Sequence, residues 1–485
     1  MRITNSMIYG GAMNNIVRNA RHLNNLVTQI ETGKKTQRPS DDPLIASRAL
    51  RYRTILSEAE QFIRNAEQSM SWMEVSEAAL NSILTGDSAK PSPMSEIYTR
   101  LLQAADGTRE LADVRAIVAE LEQYFEQMYS VDMNQTYLGR YVFSGYHTNE
   151  PAVLRTDQPA ERSFIIQQSF KASDIERTQA FYRPSLTELP KPVDANILKL
   201  PYTNVDFDFD SSGIATAPPV GITLADGTAF HIITVDSTME NAYSPTDYIG
   251  GLPVIHHVHD TGELVISDAI SDLIRDSGGI DVTYEKNNFK TGELNPIVYF
   301  ASTEITDGEA HHYDTAGQNI QMEISPSSHI TTNSHARDIL TANLYADLRR
   351  LFDFANTLIA SDPNKVEEDV LARGGTLAEF LSDEQAMFKS IMHDRVNNML
   401  KSIMEHASVA QREHTSLGSR MSRLETVWFR LEEDEIAYTE LLSKNEDADL
   451  TNAIRRKEDS EIAFNKALNA IARTSQLALS DFINR

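Results

Sequence analysis

Seven of the thirteen histidines crowd into the middle of this 485-residue chain: His231, His256, His257, His259, His311, His312 and His329. His257 and His259, two apart, would share one face of a strand and could begin a metal site. A closed zinc site takes four protein ligands, and a catalytic one three plus water. No third ligand stands at a useful spacing, so these histidines read as solvent-facing strand positions. Two acidic clusters, Asp41-Asp42 and Glu446-Asp447-Ala448-Asp449, could bind calcium or act as acid and base. The EF-hand spacing is absent, and helix-end capping explains them better. No His-Glu-x-x-His helix, Gly-x-Ser-x-Gly elbow, Walker loop or Gly-x-Gly-x-x-Gly turn occurs. With no cysteine, a disulfide, a thiolate metal site and a cysteine nucleophile are all excluded. These residues assign no catalytic group, no metal and no cofactor, and the chain reads as a non-enzyme.

The elements that would position such residues follow from composition and periodicity. A chain this long is expected to form two or more folding units. Hydrophobic residues make up 41% of it, enough for cores, and no apolar run approaches a membrane span. The net charge of −26 and pI of 4.9 argue against nucleic acid or an anionic membrane as partner. Met1 to Gly10 shows no basic stretch followed by an apolar core, so no cleavable secretory signal is visible.

Proline divides the chain. Twelve of the 17 prolines lie between Pro151 and Pro326, so the outer parts can be long helices while the middle is cut into short elements. Ile16, Ala20, Leu23, Val27 and Ile30 alternate spacings of four and three, and Gly33 ends that helix. The loop Arg38-Pro39-Ser40-Asp41-Asp42-Pro43 then closes on a new helix start, with Ser40 or Asp42 as the cap. Leu56, Ala59, Ile63, Ala66, Met70, Met73 and Leu80 continue the seam until Pro91 and Pro93. Val114, Val118, Leu121, Phe125 and Met128 share one face of a further helix.

From Val396 to Leu442 the four-three alternation runs unbroken, with only His414 and Glu435 polar in the stripe. Such a helix would span about 70 Å, too long for an ordinary globular helix. A last amphipathic segment carries Leu450, Ile454, Phe464, Leu468, Ile471, Ala478 and Phe482. Both termini thus end in amphipathic helices whose partner is either the other terminus or another copy.

The middle, about Pro151 to Asn333, reads as β-rich and is expected to fold independently of the helices. Ile222 to Leu224 with Phe230 to Ile233 forms one expected hairpin, and Val254 to Val258 with Glu263 to Ser267 another. Ile280 to Tyr284, Ile297 to Phe300 and Gln318 to Ser325 add expected strands.

One string joins the helical part to the middle: Gly139-Arg140-Tyr141-Val142-Phe143-Ser144-Gly145-Tyr146-His147-Thr148-Asn149. Gly139 suits a left-handed helix end, after which Tyr141 and Phe143 alternate as a strand. The string resembles the signature of the hook-filament junction family, flagellar hook-associated protein 3, within the flagellin superfamily. The start of the chain, with Ile30 to Lys35 and Pro39, Asp41, Asp42 and Pro43, is similar to that family's N-terminus. Leu417 to Glu425, and Glu446 to Leu450 with Asp447 and Asp449, resemble two elements near the superfamily's C-terminus. The match covers about residues 1–150 and 335–485.

The resemblance implies a mainly α, flagellin-like elongated coiled-coil bundle built from both chain ends, with an inserted β-rich domain. It divides the chain into an N-terminal assembly helix (1–40), two halves of a helical rod (41–150 and 334–444), an outer insertion (151–333) and a C-terminal assembly helix (445–485). It implies a structural subunit joining the hook, through hook-associated protein 1, to the flagellin filament, and self-associating in the flagellar axis. It further implies export without a cleavable signal, a cytosolic export chaperone, an extracellular location, and no nucleic acid or membrane insertion. Ile16, Leu23, Val27, Ile30, Leu450, Ile454, Phe464, Leu468, Ile471 and Phe482 are the expected assembly surface. Flagellin or another axial subunit is the nearest alternative; a secreted metal-binding or hydrolytic module in the middle is the alternative of another class.

Overall fold

The computed structural model describes residues 5–86, 91–159, 162–182, 189, 191–208, 221–306, 309–358, 370 and 376–483, with side chains from 10 to 473. The helices are α1 (Asn5–Thr32), α2 (Pro43–Leu84), α3 (Pro93–Ala104), α4 (Leu111–Glu126), α5 (Asp268–Ser277), α6 (Pro296–Tyr299), α7 (Ala336–Ile339), α8 (Ala342–Thr357), α9 (Leu377–Glu446) and α10 (Leu450–Ile483). A π-helical turn, Gln127–Asp132, extends α4. The strands are β1 (Thr136–Tyr137), β2 (Arg140–Tyr141), β3 (Ser163–Phe170), β4 (Glu176–Tyr182), β5 (Lys191–Lys199), β6 (Gly221–Leu224), β7 (His231–Val235), β8 (Tyr248–Ile249), β9 (Leu252–Val258), β10 (Glu263–Ile266), β11 (Ile280–Lys286), β12 (Ala301–Thr306), β13 (Glu309–Tyr313), β14 (Gln321–Ser325) and β15 (Ser328–Thr331).

The long helices follow their seams. In the 70-residue α9, Val396, Ile403, Ala410, Leu417, Leu424 and Leu431 are all buried. That recurrence every seventh residue is the mark of a helix packed along other helices. Thr376 caps α9, accepting from the Glu379 amide (3.3 Å) and donating to the Glu379 carboxylate (2.8 Å). Pro93, read as a breaker, takes the first position of α3, and Ser92 caps it.

Contacts divide the chain into two compact units. One comprises residues 1–67, 323–328 and 425–485. In it α1 lies along α10, and the start of α2 runs antiparallel to the end of α9: Asn445 donates to Ile45 O (2.9 Å) and Tyr52 meets Tyr438 (6.4 Å between ring centroids).

The other unit comprises residues 68–322 and 329–424. Its antiparallel five-stranded sheet has the order β13-β12-β3-β11-β6; a second sheet runs β4-β5-β10-β9-β7, with β8 on β9 and a parallel β7–β9 pair. Phe164, Tyr202, Tyr284, Phe289 and Phe300 form edge-to-face contacts in the β part. Between α4, its π turn and α8, Phe125 meets Phe352 and Tyr129 meets Tyr345 edge-to-face as well.

Three local expectations change. Ile222–Leu224 and Phe230–Ile233 turn back on each other only through Phe230 N–H to Ile222 O (3.0 Å) and neighbouring bonds. The strands then part, β6 pairing with β11 and β7 with β9. Residues 297–300 are the short helix α6 and its cap rather than a strand, because Asn295 caps it and Pro296 fills its first position. The hairpin of β9 and β10 is present, and β14 begins at Gln321.

The middle also does not stand apart from the helices. Buried Arg350 of α8 donates to Leu200 O (2.9 Å) and Tyr202 O (3.0 Å), and Tyr345 to Gly292 O (3.0 Å). Lys199 of β5 pairs with Glu176 and with Asp347 of α8 (3.1 Å). Residues 151–322 are therefore packed on α8.

Candidate assembly surfaces

Two interruptions of the helices, 413 residues apart in sequence, lie side by side. After α1 ends at Gly33, Lys34 forms an antiparallel bridge with Asp447. Lys35 N–H donates to Glu446 O (2.6 Å), and Ala448 N–H to Gly33 O (2.8 Å). Lys34 Nζ lies 2.7 Å from Asp447 and 3.3 Å from Glu446. Glu446, buried, also accepts from Arg53 at 2.9 Å. The Lys34–Asp447 bond holds the ammonium above its ordinary pKa and the carboxyl below its own.

The acidic clusters finish the helix starts. Asp42 Oδ1 accepts from the amides of Leu44 (3.0 Å) and Ile45 (3.1 Å), and Asp449 Oδ1 from Asn452 (3.0 Å). Asp42, rather than Ser40, caps α2, and Asp449 caps α10. Asp41 accepts from the Arg38 amide (3.0 Å), closing the turn that contains Pro39, and Pro43 opens α2. Pairing and capping thus engage these acids.

The terminal helices answer each other. On α1 the covered positions include Ala12, Ile16, Asn19, Ala20, Leu23, Leu26, Val27 and Ile30, with Leu26 most buried. Asn19, Ala20 and Val27 are all half-buried, so the covered stripe is wider than the single seam read from periodicity and takes in Leu26 as well. On α10 the covered positions are Ala453, Lys457, Ser460, Phe464, Ala467 and Ile471, again in four-three alternation. Leu450, Ile454 and Leu468 are exposed on the adjoining stripe. Phe482 lies outside the residues whose side chains are described.

The junction string has a different geometry from a helix end. Gly139 is left-handed (φ +77°), but it forms with Leu138 (φ +50°) the two-residue turn between β1 and β2. The π turn and Met133 had already ended the helix. Tyr141 N–H donates to Thr148 O (2.7 Å), Arg140 is exposed, and Val142, Phe143 and Ser144 are buried. Ala336 N–H donates to Phe143 O (3.0 Å), and Tyr146 OH to Asn319 O (3.1 Å). Arg420 donates to Thr331 O (3.2 Å), Asn333 O (2.8 Å) and Ser334 Oγ (2.8 Å). Two of the sequence motifs therefore converge where the chain leaves and rejoins the β part.

Gly145 (φ +61°) sits against Gln318, whose side-chain oxygen a Cβ would strike. Gly145→Ala is expected to destabilise the chain by about 1–2 kcal/mol in urea unfolding.

Residues 3–148 match the bacterial flagellin N-terminal helical region. Over 148 residues the chain is 25% identical to flagellar hook-associated protein 3 of Salmonella typhimurium and 23% identical to that of Escherichia coli. Each alignment covers 30% of this chain and 44% of the relative, so it spans less than half the length of either. Among solved structures, FlgL of Xanthomonas campestris aligns over 80% of this chain and 98% of its own, at 15% identity and a TM-score of 0.34.

Outside the matched residues, β9 corrects the reading of the histidines. His256 and His257 are buried, because this central strand is covered on both faces. His231, His311, His312 and His329 are exposed, and His259 is half-buried. The His257 ring lies edge-on to Phe207 (4.9 Å) and His259 (5.8 Å), and neither of its nitrogens has a hydrogen-bond partner. Among the described residues no three potential ligands gather to hold a metal, and no helix is long and apolar enough to cross a membrane.

Burial first, then His259, lowers the His257 pKa to about 4. An unfolded imidazole takes up its proton near pH 6.5, well before the folded one. The unfolded state therefore binds more protons between these values, and stability falls as pH drops from 6.5 to 4. His257→Phe is expected to flatten part of that slope in melts across this range, by up to about 1.4 kcal/mol per pH unit.

Proposed function

We propose that this chain is a structural subunit of the bacterial flagellum, placed at the junction between hook and filament. The observation that carries the reading is the paired interruption of Gly33–Lys35 with Glu446–Ala448. Two stretches that resemble the junction family at opposite ends of the chain meet there. The flagellin-type match over residues 3–148 supports the same class, as do the names of the relatives.

In this proposal residues 1–40 and 445–485 form a coiled-coil inner layer and the helices of 41–150 and 334–444 the next. Residues 151–333 form the outer part, and no catalytic step is involved. Leu450, Ile454 and Leu468 meet neighbouring subunits in the assembled axis, whereas Phe464 and Ile471 hold α10 to α1. The partners are further copies of the chain, hook-associated protein 1 and flagellin, with an export chaperone before assembly. The protein is exported to the cell exterior without a cleavable signal.

Antibody labelling of isolated flagella tests this directly. Signal confined to the hook–filament boundary, with hooks lacking filaments and flagellin shed into the medium when the gene is deleted, is the expected result. Label along the whole filament would assign the chain as a flagellin instead, and label absent from flagella would reject the class.

A further inference from the structure

The helix pair α2–α9 carries a second set of exposed apolar residues, away from the seam that joins the two helices. On α9, Phe429 and Ile436 are 53% and 71% exposed, seven residues apart on the side opposite Leu424, Leu431 and Tyr438. Exposed Glu425 and Glu433 flank them. On α2, Leu44 and Leu50 are 67% and 61% exposed on the side away from Ala49, Leu56 and Ala59, beside exposed Arg48 and Arg51. Among the described residues none of these four charges takes part in an ion pair. A helix in an isolated bundle needs one apolar stripe; these carry apolar residues on two sides.

The faces match in chemistry. One is apolar and acidic, the other apolar and basic. Because Ile45 lies beside Asn445 and Tyr52 beside Tyr438, the two faces occupy successive levels of one antiparallel pair, the basic one nearer the end of α9, and point away from each other. Like charges oppose contact of either face with its own copy, whereas unlike charges favour contact of one with the other. An interface between two different patches of the same chain is heterologous, and repeats into a ring or a helical array.

We propose that the acidic face of α9 in one copy docks on the basic face of α2 in the next, making a side-to-side contact between copies. This rests on the reading of the chain as an axial subunit and names the surface by which copies join. It is distinct from the exposed stripe of the terminal helix.

The absence of cysteine makes thiol reporters unambiguous. Leu50→Cys and Ile436→Cys variants, each melting as the parent, are produced together in flagellated cells, and their isolated flagella are oxidised. The expected product is a disulfide between the two variants, with little from either alone. Arg51→Glu should lower its yield about tenfold, and Glu433→Arg in the other copy should restore it. Equal homodimers from single variants, cross-links to a different protein, or no cross-link in flagella that contain the protein at the junction would each overturn this contact. Absence of the protein from flagella would reject the parent reading, and this contact with it.

Discussion

Changing Ile454 and Leu468 together to aspartate is expected to abolish filament assembly while leaving the isolated chain folded. Both side chains are exposed on α10, outside the stripe that α1 covers, so the change in folding stability should stay within about 0.5 kcal/mol. In the proposed assembly each would be buried against a neighbour, contributing about 1.5–3 kcal/mol. The pair therefore amounts to about 3–6 kcal/mol per contact, more than a hundredfold in association. A carboxylate placed in the seam adds a desolvation penalty. Cells producing only this variant should build hooks, shed flagellin and lack filaments, with export verified by the variant's presence in the medium. Phe464→Asp is the contrasting substitution: it strikes the α1-facing stripe and should expose α1 and α10 to protease in the free chain. Normal filaments on cells carrying Ile454→Asp and Leu468→Asp would reject this surface as an assembly contact.

Glu263→Ala is expected to destabilise the unit of residues 68–322 and 329–424 by about 3–5 kcal/mol. Glu263 on β10 and Arg395 on α9 are both buried and 3.2 Å apart. Arg395 also lies over the Phe354 ring, 4.1 Å from its centroid, and Tyr243 and Thr261 donate to the same carboxylate. Removing the carboxylate strands a guanidinium where water does not reach. Replacing both charges at once, Glu263→Leu with Arg395→Met, should recover much of the loss, because an apolar pair of similar volume needs no desolvation. Urea unfolding followed by helical signal and by tyrosine fluorescence distinguishes the alternatives. Coincident shifts support a shared core; a β signal that unfolds early while the helices hold would show that the middle is autonomous.

The helices were legible because their information is local. Four-three alternation from Val396 to Leu442 needs only a helix and a covered face, and every seventh residue from Val396 to Leu431 is buried. Asp42 and Asp449 were legible as caps for the same reason, since a cap acts within three residues. Local patterns misled where two elements could use one string. Gly139 has the left-handed backbone expected of it but serves a hairpin turn, because the π turn had already ended the helix. Asn295 with Pro296 started a helix where apolar Ile297 to Phe300 resembled a strand.

The sequence by itself determined the amphipathic rods, their caps, the β-rich middle and the absence of cysteine chemistry, all set by residues close together in the chain. Tertiary structure decided which apolar faces are covered, and it covered Phe464 while leaving Ile454 and Leu468 exposed. It also placed Lys34 on Asp447 across 413 residues, buried His257 within a central strand, and joined Glu263 to Arg395. Helical periodicity records that a side chain needs a partner. The partner is chosen by long-range packing, whose cost in loop closure rises only slowly with chain separation and so leaves little trace in local sequence.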